Sequence, residues 1–450
     1  MEAVPRKMTY RLSPNATQTA LLETSLALPC RVYNTLLEKH KRRFDAQESA
    51  FGFSAMCKAL TPWRGLTDAL QGLNAPSLQV TAKRVSLAVD AFLRRVKSGE
   101  TAGYPRFKPL QRFAGWGYKT HGDGWTLIQP EGPHGKRRLS GVGEIRIRGK
   151  GRFADTSKTG EVIHKSGTWD LSVTYDVAPE DLARPQGTEA AAFDWGMSTL
   201  VARAKADGRR AEIDPPRGLK TKLAAIKALR RTISLEEIEA KAILGLAADQ
   251  PIPKGTRRPV SAKLKRRYAQ VRATHGKISR QRKDYYHHLT AEWVSRFAFL
   301  GTEELAVAKR SKAPKVKPDP DHPGGFLPNG AAAKAGLNRG ILDAAPSMLL
   351  GMLVTKAVEA GSRFALANTR KVKPAQRCHG CGALVKKELS QGTPRCASGC
   401  LCGRDENAAK PLLRWLLEGD FWVGTTQAES LGSRPVLLET PPRATALVGV

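Results

Sequence analysis

Ala190-Ala191-Ala192-Phe193-Asp194-Trp195-Gly196 sets a run of small and apolar side chains against one carboxylate and a glycine that can turn the chain. Such a run reads as a buried strand that carries Asp194 to its end. Ser198-Thr199-Leu200-Val201-Ala202-Arg203-Ala204 then alternates apolar with polar and returns as an antiparallel partner, before Asp207-Gly208 closes a second hairpin. An acid at a strand end caps a turn or a helix as readily as it serves a reaction. Asp194 gains meaning only where further carboxylates converge on it.

The chain of 450 residues is long enough for two to four domains. It carries 74 Lys and Arg against 41 Asp and Glu, a net charge of +33. An excess of that size repels itself in a compact state unless a polyanion shares the space, which points to nucleic acid as the partner. No membrane is expected, because no basic amphipathic anchor, no signal peptide at Met1 to Tyr10 and no apolar stretch of about 18 residues is read. The reading is of a soluble, intracellular protein. Five of the seven cysteines fall between Cys378 and Cys402, a clustering that suits a metal in a reducing compartment rather than a disulfide framework.

Before the opening stretch, Lys7-Met8-Thr9-Tyr10-Arg11-Leu12 alternates as a strand, and Ser13-Pro14-Asn15 stops it and caps a long helix to about Arg43. A second helix over 78–96 carries Lys83 and Arg84 among its apolar positions. Gly103-Tyr104-Pro105-Arg106-Phe107-Lys108 interleaves aromatics with cations, as a loop touching bases or phosphates would, although Tyr104 and Phe107 serve equally as packing. From about 110 to 177 the period falls to two, which predicts a β-barrel or sandwich that the first strand joins, with the helices inserted between its strands.

After the opening stretch come two basic helical regions, 219–232 and 263–289. Lys263, Arg266, Arg267, Arg280, Arg282 and Lys283 lie on the second, and their number suggests a surface that grips a phosphate backbone. Phe297-Ala298-Phe299-Leu300-Gly301-Thr302-Glu303-Glu304-Leu305 is a second apolar strand that ends in acid, and period two aims Glu304 away from the face that Glu303 would share with the site. Residues 308–336 read as a mobile loop, 337–360 as one helix, and Arg363-Phe364-Ala365-Leu366-Ala367 as a strand. Cys378-His379-Gly380-Cys381 and, after fourteen intervening residues, Cys396-Ala397-Ser398-Gly399-Cys400-Leu401-Cys402 have the spacing of zinc knuckles. The fourth ligand is Cys400, with Cys402 as the alternative, and His379 is read as a surface residue. Arg404-Asp405-Glu406-Asn407-Ala408-Ala409-Lys410 opens a last helix, in which Asp405 could be a simple N-cap and Pro411 could introduce a kink. From about 424 the composition suggests a disordered tail.

If the fold brings Asp194, Glu303 and Asp405 within a few ångströms, they repel one another strongly unless divalent cations occupy the middle. Such a cluster suits two metals about 3.5–4 Å apart, one activating water and one stabilising the leaving oxygen of a phosphodiester. Mg²⁺ fits all-oxygen ligation.

In order and wording these motifs resemble TnpB, the transposon-associated RNA-guided nucleases, and their relatives the compact type V CRISPR effectors. The resemblance runs from Tyr10-Arg11-Leu12 through the Tyr104 segment, Phe193-Asp194-Trp195-Gly196, Glu303-Glu304-Leu305, Leu337-Asn338-Arg339-Gly340-Ile341-Leu342-Asp343 and the knuckles to Asp405-Glu406-Asn407-Ala408-Ala409. It implies a multidomain α/β plus β-barrel chain. In that division, 1–17 and 110–185 form a wedge barrel, and 18–109 a helical recognition domain inserted in it. Residues 186–372 and 404–423 form an RNase H-like (RuvC) nuclease domain, with the zinc module at 373–403 between them and a tail at 424–450.

The resemblance also implies Asp194, Glu303 and Asp405 as the ligands of two Mg²⁺ ions, and one structural zinc. The partners it implies are a guide RNA, target DNA with a short flanking motif and the RNA–DNA heteroduplex, bound by a monomer or by a dimer on one RNA, in a prokaryotic cytoplasm at the nucleoid. Two other readings stand beside it: a nuclease-dead, repressor-like RNA-guided binder of the same fold, and a DNA-binding transposase-type protein without RNA.

Overall fold

The computed structural model describes residues 3–49, 51–128, 134–149, 156–181, 188–196, 201–205, 210–253, 256, 258–322, 324–385, 396, 399 and 404–418. The expected tail at 424–450, the turn at Asp207-Gly208, and Cys400 and Cys402 lie outside them. The chain divides into two compact units, Met1–Asp181 and Leu182–Val450.

In the first unit, β1 (Val4–Ser13) runs into α1 (Ala16–Asp45), where the Asn15 side chain accepts from Gln18 N–H and the Gln18 side chain answers onto the Asn15 backbone. The helices α2 (Phe53–Arg64), α3 (Asp68–Gln71) and α4 (Ala75–Lys97) follow. Six strands come next, β2 (Gly115–Tyr118), β3 (Trp125–Ile128), β4 (Lys136–Leu139), β5 (Gly143–Ile147), β6 (Ser157–Lys165) and β7 (Thr168–Val177). They form one antiparallel sheet in the order β2-β6-β7-β1-β5-β4-β3, a nearly closed barrel. β1 holds it together: Val4 to Arg11 pair with β7, while Leu12 and Ser13 pair with β5. Alternation turns Tyr10, Leu12, Ile145, Ile147, Leu171, Val173 and Tyr175 inward.

The second unit is built on a five-stranded sheet of β8 (Glu189–Trp195), β9 (Val201–Lys205), β10 (Arg210–Ile213), β11 (Phe297–Glu303) and β12 (Arg363–Ala367), in the order β10-β9-β8-β11-β12. The first three form an antiparallel meander; β11 runs parallel to β8, and β12 parallel to β11. Between the meander and β11 stand α5 (Gly218–Ala242) and α6 (Ala262–Arg296), and α6, about 52 Å long at 1.5 Å per residue, runs directly into β11. After β11 come α7 (Val307–Arg310), α8 (Ala331–Ala344) and α9 (Pro346–Glu359), and after β12 come α10 (Thr369–Val372) and α11 (Arg404–Glu418).

Alternation along β8 sends Ala190, Ala192 and Asp194 to one face and Ala191, Phe193 and Trp195 to the other. The second face packs against α6 and α9 through Tyr286, Trp293, Leu349, Leu353 and Ala357. The first is lined by Ala190, Ala192, Ala204, Ala365 and Ala367, and α11 lies on it with Ala409, Leu412, Leu413, Trp415 and Leu416. Small side chains let the helix approach closely. At Gly301 a Cβ would stand 2.7 Å from Leu416 Cδ1, inside any normal contact. Gly301→Ala is therefore expected to cost about 1–3 kcal/mol through overpacking, read as a lower denaturant midpoint, and a midpoint at or above wild type would contradict this packing.

Three expectations need correction. The helical stretch expected at 337–360 is two helices, broken at Ala345, whose φ is +43° ahead of Pro346; proline disfavours a helical residue before it, so the break was signalled. The expected loop at 308–336 is ordered in part, with α7, an antiparallel bridge between Pro318 and Phe326, and the start of α8. Finally, an apolar stretch of membrane-spanning length and composition does exist among the described residues, at Ala331–Glu359. It is interrupted at Ala345, and α9 turns Leu349, Leu353 and Ala357 into the core.

Candidate active site and cysteine cluster

Asp194 and Glu303 meet at one edge of the second unit's sheet. Thr302 pairs with Phe193 across β11 and β8, so the next residue on each strand, Glu303 beside Asp194, stands one strand spacing away, about 4.8 Å. Both point to the face that α11 covers. Glu303 is 5% exposed, while Glu304 is exposed, which separates the two neighbours as a period of two requires. Asp194 is half-buried.

Burial pushes the Glu303 carboxyl above its ordinary range, and the Arg310 guanidinium, 3.5 Å away, together with a hydrogen bond from Thr369, pulls against that rise. Arg310 closes α7, so the segment after β11 brings a cation to the buried acid. A carboxylate held in this way gains from a divalent cation, which restores the charge that burial opposes.

The first turn of α11 carries Asp405; its backbone lies in that turn and its side chain is outside the described residues. Leu416, near the other end of the helix, touches Gly301 inside the sheet. Asn407 Nδ2 donates to the Arg377 carbonyl at 2.7 Å, in the segment after β12 and α10. Thr369, the first residue of α10, donates to the Glu304 carbonyl at 3.2 Å. The start of α11 is thus tied to the sheet edge where Glu303 ends its strand.

Cys378, Cys381 and Cys396 bring their sulfurs within 4.8 Å of one another, with Cys381 and Cys396 at 3.7 Å. Thiolates at about 2.3 Å from a tetrahedral zinc would be separated by about 3.8 Å, so the cluster can bind a zinc ion. The first knuckle is closed by Cys378 N–H donating to Ala383 and Gly382 N–H donating back to Cys378, with Gly382 at φ +75°. His379 is not a free surface residue: its backbone and ring both meet Asn407.

The cations expected to touch nucleic acid fall into two sets. Arg84 is bonded to Glu161 and to the Gly115 carbonyl, Arg267 to Glu236 at 2.5 Å, and Arg282 to Asp343 at 2.6 Å, so these serve the fold. Tyr104 bonds His40 at 2.8 Å and packs edge-on against Phe92, while the Lys108 backbone is held by Asn34 and its ammonium lies over Tyr33. Arg106 and Phe107 between them are exposed. Lys83 lies exposed over Phe53, and Lys263, Arg266, Arg280 and Lys283 are exposed along α6.

Sequence reasoning quoted Asp343 within a longer motif but gave it no role of its own. It is buried, accepts from Leu219 and Lys220 N–H at 3.2 Å each, and so caps the start of α5 while holding Arg282 of α6.

A family model described as "Probable transposase" (OrfB_IS605) matches residues 172–313, which include both Asp194 and Glu303. A Streptomyces pristinaespiralis protein named "Putative RNA-guided DNA endonuclease" is 24% identical over 461 residues, spanning 99% of this chain and 98% of its own. Over residues 172–313 the chain is thus similar to the OrfB_IS605 (TnpB) family. The fold of the chain is similar to that of the protein in a Cas12f1-sgRNA-target DNA complex, with a TM-score of 0.52 and 11% identity over 91% of this chain and 98% of that one. It is also similar to the mini-RNA-guided endonuclease CRISPR-Cas_phi3, with a TM-score of 0.50 and 9% identity over 95% and 94% of the two chains.

Proposed function

We propose that this protein is a TnpB-type RNA-guided DNA endonuclease that hydrolyses phosphodiester bonds at Asp194, Glu303 and Asp405. The observation that carries the reading is the pairing of Asp194 with a buried Glu303 on adjacent parallel strands, at the edge to which α11 brings Asp405. The sheet, an antiparallel meander extended beyond its first strand by two parallel ones, supports an RNase H-like nuclease domain. The named relative and the Cas12f1 complex support guide RNA and target DNA as partners.

Two Mg²⁺ ions at the acids would supply a nucleophilic hydroxide and neutralise the leaving oxygen. The residues of the chain do the rest. Asp194 and Glu303 fix the ion-binding edge on rigid strands, α11 covers the sheet behind them, and exposed cations hold the phosphates. Sequence choice would come from pairing with the guide, with protein side chains reading only the flanking motif.

The test is to sequence the RNA that copurifies with the protein and then to challenge the complex with a plasmid carrying the matching sequence. Cleavage that needs the match and Mg²⁺ supports the reading; a preparation free of RNA, or cleavage indifferent to the match, overturns it.

The charge distribution adds a prediction. Lys277, Arg280 and Lys283 recur every three residues on α6 and are exposed. Replacing all three with serine should lower the slope of log affinity against log salt by roughly two to three, at about 0.9 per duplex phosphate, for every target alike. Arg282→Ser, which breaks the pair with Asp343, should instead lower the melting temperature. An unchanged salt slope in the triple variant, or a changed flanking motif, would remove α6 from the interface.

A further inference from the structure

Asn407 is buried, two residues beyond Asp405 on the first turn of α11. A buried asparagine in a helix is neither a good helix former nor a stable core residue unless its amide is satisfied. Its orientation is dictated by backbone groups on both sides. Oδ1 accepts from His379 N–H at 3.0 Å, a group that can only donate, and Nδ2 donates to the Arg377 carbonyl at 2.7 Å, a group that can only accept. Turning the amide over would set N–H against N–H and oxygen against oxygen.

The same Oδ1 lies 3.1 Å from His379 Nδ1. Since Oδ1 only accepts, the imidazole must carry its hydrogen on Nδ1. Three hydrogen bonds therefore run from one side chain of α11 to the residues on either side of Cys378. Cys378 is itself buried and closed onto Ala383 and Gly382, so the knuckle and the helix start are fastened as one piece.

We propose that Asn407 is a positioning residue that joins the cysteine cluster to the first turn of α11 and thereby sets the place of Asp405, holding His379 as the Nδ1–H tautomer. Its last link, to Asp405, rests on the reading of the acids as metal ligands. Asn407 touches no reacting atom; it acts through the backbone that presents Asp405.

The experiment uses the full-length chain purified with zinc. In the wild type, ¹⁵N-labelled histidine, with the His379 signals assigned by their loss in His379→Gln, should show nitrogen Nδ1 protonated; a dominant Nε2–H tautomer overturns the proposal. In Asn407→Ala, transfer of zinc to a chromophoric chelator should quicken about tenfold, and Mn²⁺ affinity, read from the electron paramagnetic resonance of free Mn²⁺, should fall about tenfold, the usual scale for a partner lying outside the ligands. Asn407→Asp keeps the acceptor for both His379 groups, so it should keep the Nδ1 hydrogen and recover part of both losses. Wild-type zinc transfer and Mn²⁺ affinity in a folded Asn407→Ala overturn the proposal; should that variant not fold, the wild-type tautomer and Asn407→Asp decide it. Asp405→Ala separates the two claims. If it binds Mn²⁺ as the wild type does while Asn407→Ala releases zinc faster, the reading of the acids fails and the fastening stands; if it loses Mn²⁺ while Asn407→Ala keeps it, the positioning role fails and the acids stand.

Discussion

Asp194→Ala and Glu303→Ala are each expected to lower guide-matched plasmid cleavage by about a thousandfold or more, with RNA and target binding close to wild type. On the proposed reading each change removes an ion-binding oxygen, and an ion that neutralises charge in a phosphodiester transition state contributes several kcal/mol, each 1.36 kcal/mol being a factor of about ten in rate. The proposed grip on nucleic acid lies with exposed cations elsewhere, so binding should survive. Full cleavage by either variant with Mg²⁺ present would remove that acid from the site.

Glu303→Gln carries a second readout. The folded-state pKa of Glu303 is raised by burial, so its contribution to stability is present below the unfolded pKa and is lost as pH rises through the folded one. At neutral pH the ionised carboxylate therefore costs stability, which the Arg310 pair offsets only in part. The glutamine variant should melt higher than wild type at pH 7 without divalent ions, while cleaving no DNA. A lower melting point would mean that the pair with Arg310 outweighs the burial.

Cys378→Ser is expected to empty the cysteine cluster of zinc and to abolish cleavage with it. Structural zinc contributes roughly 10–16 kcal/mol of apparent binding free energy in small zinc-finger peptides, and a serine oxygen does not replace a thiolate. Because Cys378 lies buried against the segment that Asn407 holds, the loss should spread to the start of α11. Limited proteolysis should cut between α10 and α11 in the variant and spare the wild type. Metal analysis that finds active wild-type protein free of zinc would sink this expectation.

The places of Asp194 and Glu303 at the ends of buried strands were legible because a strand end is written locally, as apolar residues running into a carboxylate. The choice between Glu303 and Glu304 followed from the two-residue period alone, and the exposures of the two side chains agree with it. The cysteine spacing was legible for the same reason. What escaped were partnerships between distant residues. Asp343 meets the start of α5 more than a hundred residues away, and nothing near it in the chain announces that. Likewise Arg84, Arg267 and Arg282 read as free cations until Glu161, Glu236 and Asp343 are found beside them. The break at Ala345 was written in Pro346 but lay hidden in an otherwise continuous apolar period.

The alanine face beneath α11 also has a meaning for the chain as it is made. β8, β11 and β12 emerge from the ribosome first, and at about 5–20 residues per second the helix that covers them follows Asp194 by tens of seconds. Until then the nascent sheet shows Ala190, Ala192, Ala365 and Ala367 to water and lacks the turn that bears Asp405. A product of stalled synthesis that stops before Arg404 would be sticky and, with Asp405 as a metal ligand, unable to cut. On the proposed reading, the order of elements along the chain withholds DNA cleavage until synthesis has passed α11.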